Sequence, residues 1–184
     1  MPVSDQANIT PIMLEVARLR PKKILDLGVG WGKYGLLCRE MLDIEAGNLD
    51  KKSWQTGIIG YEGFEAYRNP IHDYAYDAVY YMDFMKALPF LGYDLVLMID
   101  SLEHISKVEG YKLLDQLLSR NKNVIVSCPT GASYLEQGAV YGNEFERHRA
   151  HWTTEDFEVR GGKILYHGVC VVASLKGQRA NTWT

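Results

Sequence analysis

The chain has 184 residues, enough for one α/β domain with a buried core and too few for two generous ones. Its 47% hydrophobic and 23% charged residues match globular averages and exclude wholesale disorder. A formal charge of −3 without a Lys/Arg cluster argues against nucleic acid as a partner, because proteins that grip a phosphate backbone present a basic surface.

The first residues, Met1-Pro2-Val3-Ser4-Asp5, lack the basic start and apolar stretch of a secretory signal, which predicts a cytoplasmic protein. Thr10 followed by Pro11 is a helix start, and Leu14, Val16, Ala17 and Leu19 carry the helix until Pro21 stops it. Ile24 to Gly35 then reads as strand, glycine turn and helix, with Lys33 to Ile44 taking a helical period at Leu37, Met41 and Ile44. Gly28, Gly30 and Gly32 permit positive backbone torsions and let a ligand lie against the main chain at the amino end of that helix. This is a cradle for a nucleotide.

Gly30-Trp31-Gly32-Lys33-Tyr34-Gly35 satisfies the G-x-G-x-x-G dinucleotide pattern. In that fingerprint the first glycine ends the strand and an acid follows by about twenty positions. Here Gly28 already precedes it, and the next acid at a strand end is Glu62, so the offset fits poorly. An NAD-dependent oxidoreductase stays open as an alternative.

Asp26 supplies a different order, Asp-x-Gly-x-Gly-x-Gly, and at this point the chain resembles the class I S-adenosylmethionine-dependent methyltransferases. The resemblance implies an α/β, doubly wound Rossmann-like fold: a seven-stranded sheet, mostly parallel with an antiparallel C-terminal hairpin strand, and helices on both faces. It implies S-adenosyl-L-methionine as cofactor, with Asp26, Gly28, Gly30, Trp31 and Gly32 around it and the first helix as a cover.

After a polar loop from Glu45 to Thr56, Gly57 to Tyr61 forms a second strand that delivers Glu62 at its carboxyl end. A carboxylate there can accept both ribose hydroxyls of a nucleoside held by the first loop, with Gly63 and Phe64 flanking it. Tyr67, Tyr74, Tyr76, Tyr80 and Tyr81 read as half-buried rings on strand or helix faces. Ala78 to Tyr81 is the third strand, followed by Met82-Asp83-Phe84 and Leu88-Pro89-Phe90. That succession is similar to the methyltransferase pattern, which implies that Asp83 accepts from the adenine amino group with Phe84 beside it.

Tyr93 to Ile99 is the most strand-like run, apolar on both faces, and it ends in Asp100-Ser101-Leu102-Glu103-His104-Ile105. Ligands of open α/β sheets sit at the carboxyl ends of strands, so these polar groups face the crevice. The string resembles the Asp-x-x-Glu-His of many small-molecule methyltransferases and differs from the Asn-Pro-Pro-aromatic of enzymes acting on nucleobase or glutamine amino groups. The resemblance implies a small-molecule, sugar or glycan acceptor, with Asp100 near the cofactor.

Val108, Tyr111, Leu114, Leu117 and Leu118 repeat at helical spacing as a core stripe, and Val124 to Cys128 is a fifth strand stopped by Pro129. Thr130-Gly131 opens an irregular segment. Tyr141 to His148 resembles a Tyr-Gly-Asn-x-x-Glu-Arg-His run of small, uncharacterised bacterial and phage methyltransferases. Phe157 to Val159 and Ile164 to Leu175 read as two strands joined by a turn at Gly161-Gly162. The longest apolar runs, Leu95 to Ile99 and Val169 to Ala173, fall far short of the roughly twenty residues of a membrane span. Cys38, Cys128 and Cys170 are odd in number and scattered, as expected of buried thiols in reducing surroundings.

The whole chain, 1–184, therefore reads as one domain: an N-terminal helix region (1–21), a cofactor-binding half (22–128), and a substrate-side segment with a closing hairpin (129–184). Methyl transfer from a sulfonium is an in-line displacement, so positioning dominates, with a base where the acceptor must lose a proton. His148 and His151 are the candidate bases, and Glu103 and His104 project from the fourth strand. No metal is expected, because His148-x-x-His151 with Glu144 lacks the i,i+4 pair of zinc hydrolases. A non-catalytic S-adenosylmethionine-binding protein also stays open.

Overall fold

The computed structural model describes residues 3–130 and 136–178; the expected irregular opening at Gly131 and the Met1-Pro2 start lie outside them. Seven strands form one sheet: β1 (Lys23–Leu27), β2 (Gly57–Glu62), β3 (Ala78–Tyr81), β4 (Leu95–Ile99), β5 (Asn123–Pro129), β6 (Lys163–His167) and β7 (Cys170–Lys176). Their spatial order is β3-β2-β1-β4-β5-β7-β6. The first five run parallel, and β7 is antiparallel to both β5 and β6. All five residues of β4 are buried, as its unbroken apolar run requires of a central strand covered on both faces. The order reverses between β1 and β4, and the space outside their carboxyl ends is where such folds leave a crevice.

Side chains of β1 and β4 alternate between two cores. Ile24, Leu95 and Leu97 join Ile12, Val16, Ile58 and Tyr76 on the face covered by α1 (Ile9–Leu19), α2 (Lys33–Arg39) and α3 (Pro70–Ala75). Leu25, Leu27, Val96 and Met98 join Leu113, Leu114, Leu117, Trp152 and Phe157 on the face covered by α4 (Lys107–Arg120) and α5 (Thr154–Glu158). The period of two along each strand dictates this partition.

Several local expectations are corrected. Thr10 lies inside α1 rather than capping it, because a 3-10 turn at Gln6–Asn8, capped by the Asp5 carboxylate, runs into the helix. The helix expected over Lys33 to Ile44 changes at Glu40 into a π turn, where the fully buried Arg39 donates to Asp43 at 2.7 Å and to the Thr56 carbonyl at 2.6 Å. Val108 is 63% exposed; the buried stripe of α4 is Gly110, Leu113, Leu114, Leu117 and Leu118. Phe157 to Val159 is not a strand. A capping box between Thr153 and Asp156 starts α5 there, and the β6–β7 hairpin turns at Gly168-Val169 instead of Gly161-Gly162. Among the described residues no helix is long and apolar enough to cross a membrane, and the three cysteines are buried and unbridged.

Candidate active site

The β1 loop gets its shape from backbone torsions and from what packs beneath it. Gly28, Gly30 and Gly32 have φ of +95°, +54° and +86°, in the left-handed region that side chains rarely adopt. A Cβ on Gly28 would lie 2.7 Å from Cβ of Ser101, whose hydroxyl donates to the Leu27 carbonyl at 2.7 Å. This glycine therefore serves the close approach of the β4 loop. Under the turn, the ring of Tyr76 occupies the space that side chains would need at Gly35, within 2.2 Å, and at Gly60, within 3.1 Å. The Tyr76 hydroxyl donates to Asp26 Oδ2 at 2.6 Å and accepts the Gly35 N–H at 3.1 Å.

Above this support a cavity of about 550 Å³ opens at the carboxyl ends of β1 and β4, within the usual range for small-molecule sites. Of the residues the sequence singled out, Gly28, Gly30, Trp31, Glu62, Gly63, Asp83, Phe84, Asp100, Glu103, His104 and His148 line it. Asp26, Gly32, Phe64 and His151 do not. Asp26 and Gly32 lie under the loop. The Phe64 ring instead packs edge-on against Tyr67, and His151 is exposed with its carbonyl facing Lys107 Nζ.

Glu62 sits where β2 ends, buried, and its carboxylate ties two backbones together. Oε2 accepts the Gly30 N–H at 2.8 Å and Oε1 the Phe64 N–H at 2.9 Å. Burial raises its pKa, and those two N–H groups partly oppose the rise. Beneath the loop, burial pushes the Asp26 carboxyl up to about 7 against the opposing Tyr76 hydroxyl. His72 of α3 clamps the same loop from outside, with Nε2 2.9 Å from the Gly30 carbonyl and Nδ1 2.8 Å from the Tyr81 hydroxyl. Burial lowers its pKa and favours the neutral ring. Asp83 caps the turn after β3 by accepting the Met85 N–H at 2.9 Å.

Asp100 follows β4 with φ +49°, rare for a side-chain-bearing residue. Its carboxylate accepts from Asn8 Nδ2 at 3.2 Å and from the Ser127 hydroxyl, joining the N-terminal segment, β4 and β5. Lys33 Nζ donates to the Ser4 carbonyl at 2.8 Å, so the segment before α1 closes one side of the cavity while α1 itself packs on the sheet.

The far end is assembled across the chain. The Arg149 and Ala150 N–H groups donate to the Glu103 carbonyl at 2.7 and 3.1 Å, and the His148 N–H donates to the Gln137 carbonyl at 3.0 Å. This docking brings the His148 ring to 5.0 Å from that of His104. Burial and the neighbouring His148 hold the His104 pKa down to about 4, and its Nδ1 lies 3.3 Å from the Arg147 carbonyl. Burial, then Asp100, raises the Glu103 pKa well above the carboxylate range. His148 thus meets Glu103 and His104, not the His151 and Glu144 adjacent in sequence; Glu144 pairs with Arg147 at 3.0 Å on the surface.

Sequence reasoning missed Tyr76, His72, Asn8 and Phe145. The Phe145 ring lines the cavity and lies against Gly63, where a Cβ would meet it at 3.0 Å, whereas Phe64 does not line it. The need for a ring beside Gly35, and for Val29 and that ring together beside Gly60, has no local signature.

No protein-family model matches the sequence, and no curated protein sequence matches it. Solved structures do. The N-terminal domain of EvdMO1 with SAH bound is 15% identical, with a TM-score of 0.64 over 95% of this chain and 83% of that one. Magnesium protoporphyrin IX methyltransferase (ChlM) from Synechocystis PCC 6803 with bound SAH is 13% identical, with a TM-score of 0.63 over 94% and 83%. The plantazolicin methyltransferase BpumL in complex with SAH is 15% identical, with a TM-score of 0.60 over 94% and 86%. The chain has the fold of the class I S-adenosylmethionine-dependent methyltransferases.

Proposed function

We propose that the protein is an S-adenosylmethionine-dependent methyltransferase acting on a small molecule, sugar or glycan. The observation that carries this reading is the buried Glu62 carboxylate at the tip of β2, bonded to the Gly30 N–H of the glycine loop and lining a cavity at the sheet's switch point. A carboxylate oxygen has lone-pair capacity beyond one N–H bond, which suits it to ribose hydroxyls. Asp83, Phe84, Gly30 and Trp31 border the same space and suit an adenosyl group. When bound, the cofactor supplies an electrophilic methyl on a cationic sulfur.

The electrostatics favour that cation and disfavour a polyanionic acceptor. Asp5, Glu62, Asp83, Asp100, Glu109 and Glu146 line the cavity, against Lys33 and Arg149 as its cations among the described residues. A phosphate-rich substrate would meet repulsion there. Glu103, His104 and His148 form the acceptor end, and the chain's task is to seat the acceptor atom in line with the methyl. The proteins of similar fold include a magnesium protoporphyrin IX methyltransferase and a plantazolicin methyltransferase, so the acceptor class proposed for this chain rests on the cavity's charge and size.

Calorimetry with S-adenosylmethionine and with NAD tests the reading, followed by transfer of labelled methyl to fractionated acceptor pools. Saturable binding of the former alone is expected. Binding of NAD without S-adenosylmethionine would replace it with an oxidoreductase, and binding without transfer to any pool would leave a sensor or carrier.

A further inference from the structure

We propose that Glu103, His104 and His148 form a site for one divalent transition-metal ion at the acceptor end of the cavity. Three observations converge. Each residue offers a ligand atom, a carboxylate oxygen or an imidazole nitrogen, and these atoms lie within 4.8 Å of one another. Glu103 is 2% exposed, and its Oε2 has no hydrogen-bond partner, an arrangement that costs free energy unless a cation meets that oxygen. His104 Nδ1 faces the Arg147 carbonyl at 3.3 Å, so that when Nδ1 carries the proton, Nε2 keeps the lone pair. A backbone carbonyl behind a ligating imidazole is the usual means of fixing tautomer and ring orientation.

The three ligands come from two places in the chain and are held by backbone. The 3-10 turn at Leu102–His104 supplies two, and the bonds from Arg149 and Ala150 to the Glu103 carbonyl deliver the third. Two imidazoles and one carboxylate on one side of an ion match the set that binds Mn²⁺, Fe²⁺, Co²⁺ or Zn²⁺, whereas Mg²⁺ prefers oxygen ligands and retains its waters. Asp100, Glu109 and Glu146 around the same cavity add negative potential. All three residues line the cavity, so an ion held by them would be reachable from it. The metal assignment stands on this geometry alone; the role that follows rests on the methyltransferase reading. An acceptor hydroxyl bound to such an ion would have its pKa lowered and would release its proton to water in the open cavity; its oxygen would then form a bond to the methyl carbon as the methyl–sulfur bond breaks, leaving the neutral thioether.

The test is titration of the chelator-treated protein, residues 1–184, with Mn²⁺ or Zn²⁺ by calorimetry, with Co²⁺ absorption as a second readout on the unmutated chain. One ion per chain is expected, with visible bands from Co²⁺ bound to nitrogen. His104→Asn and His148→Asn, each checked for intact circular dichroism, are expected to bind at least tenfold more weakly. His167→Asn, exposed at the end of β6, is expected to bind as the parent does. Absence of saturable uptake, or affinity unchanged in both histidine variants, would overturn the site; displacement of the ion by Mg²⁺ would overturn its class. S-adenosylmethionine affinity measured on the same metal-free samples is expected to stay unchanged. Its absence would fell the methyltransferase reading while leaving the metal site to be judged by the titration.

Discussion

The Tyr76 hydroxyl reaches 2.6 Å to Asp26 while its ring fills the space that Gly35 and Gly60 leave free, so one residue of α3's carboxyl end supports the whole glycine loop. Replacing it with Phe keeps the ring and removes the hydroxyl. Asp26 and the Gly35 N–H then lose their partner, and Tyr76→Phe is expected to lower stability by roughly 1–3 kcal/mol in urea unfolding. A change below a few tenths would mean water reaches Asp26.

Gly35→Ala tests the same packing from the other side. Its Cβ would sit 2.2 Å from the Tyr76 ring, so the ring or α2 must move, and overpacking of this kind costs about 1–3 kcal/mol. Gly47→Ala, with φ +88° and no atom within 4 Å, meets backbone strain alone and is expected to cost roughly 1 kcal/mol. Equal thermal shifts in the two variants would contradict the packing account.

Asp26 also sets a pH dependence. Its folded pKa of about 7 lies above the ordinary 3.8, so the folded state holds a proton that the unfolded chain releases between those values. Stability from this residue is present below pH 3.8 and declines as pH rises towards about 7. His72 works in the opposite sense, since its lowered pKa favours the folded state above the histidine value and loses that contribution on acidification. The difference between the parent and Asp26→Asn isolates the first term. The variant is expected to gain stability over the parent on going from acid to neutral pH, and a constant difference across that window would show that Asp26 stays ionised.

Glu62→Ala removes the clamp on Gly30 together with the proposed ribose acceptor. Affinity for S-adenosylmethionine is expected to fall at least about tenfold, the scale of one lost hydrogen bond to a charged group. Glu62→Gln keeps one acceptor and is expected to lie between. Unchanged affinity in both would move the ribose elsewhere.

Phe145→Ala uncovers Gly63 at the cavity's edge. Loss of an aromatic flank is expected to weaken S-adenosylmethionine binding by roughly three- to tenfold, at about 0.5–1.5 kcal/mol for a ring contact. Calorimetry on the variant reads it directly.

The parallel sheet was legible because its strands carry their own signals: an apolar run at Leu95–Ile99, and an acid and a glycine turn after Leu27. The cavity-lining Glu62, Asp83 and Asp100 were legible because strand ends are positions that a one-dimensional pattern can mark. Contacts between distant segments left no such mark. Gly32 belongs to the loop but is buried against Ile71 and His72 and does not line the cavity, and the Phe64 ring turns to Tyr67 while Phe145 covers Gly63. Phe157 and Val159 read as a strand because β-branched and aromatic residues favour one, whereas the capping box between Thr153 and Asp156 starts a helix there. The meeting of His148 with Glu103 and His104 is not legible, because spacing along the chain says nothing about the turn after β4 that lies beside it.

The main-chain amides of Arg149 and Ala150, bonded to the Glu103 carbonyl, fasten the strip that carries Phe145 to His148 onto the fourth strand's turn, with His104 Nδ1 facing the Arg147 carbonyl beside them. Mutations that exchange its outward-facing side chains, such as Glu144 or Arg147, leave those anchors intact. That side of the cavity can therefore change its surface residues while its path holds, leaving the glycine loop at the other side undisturbed.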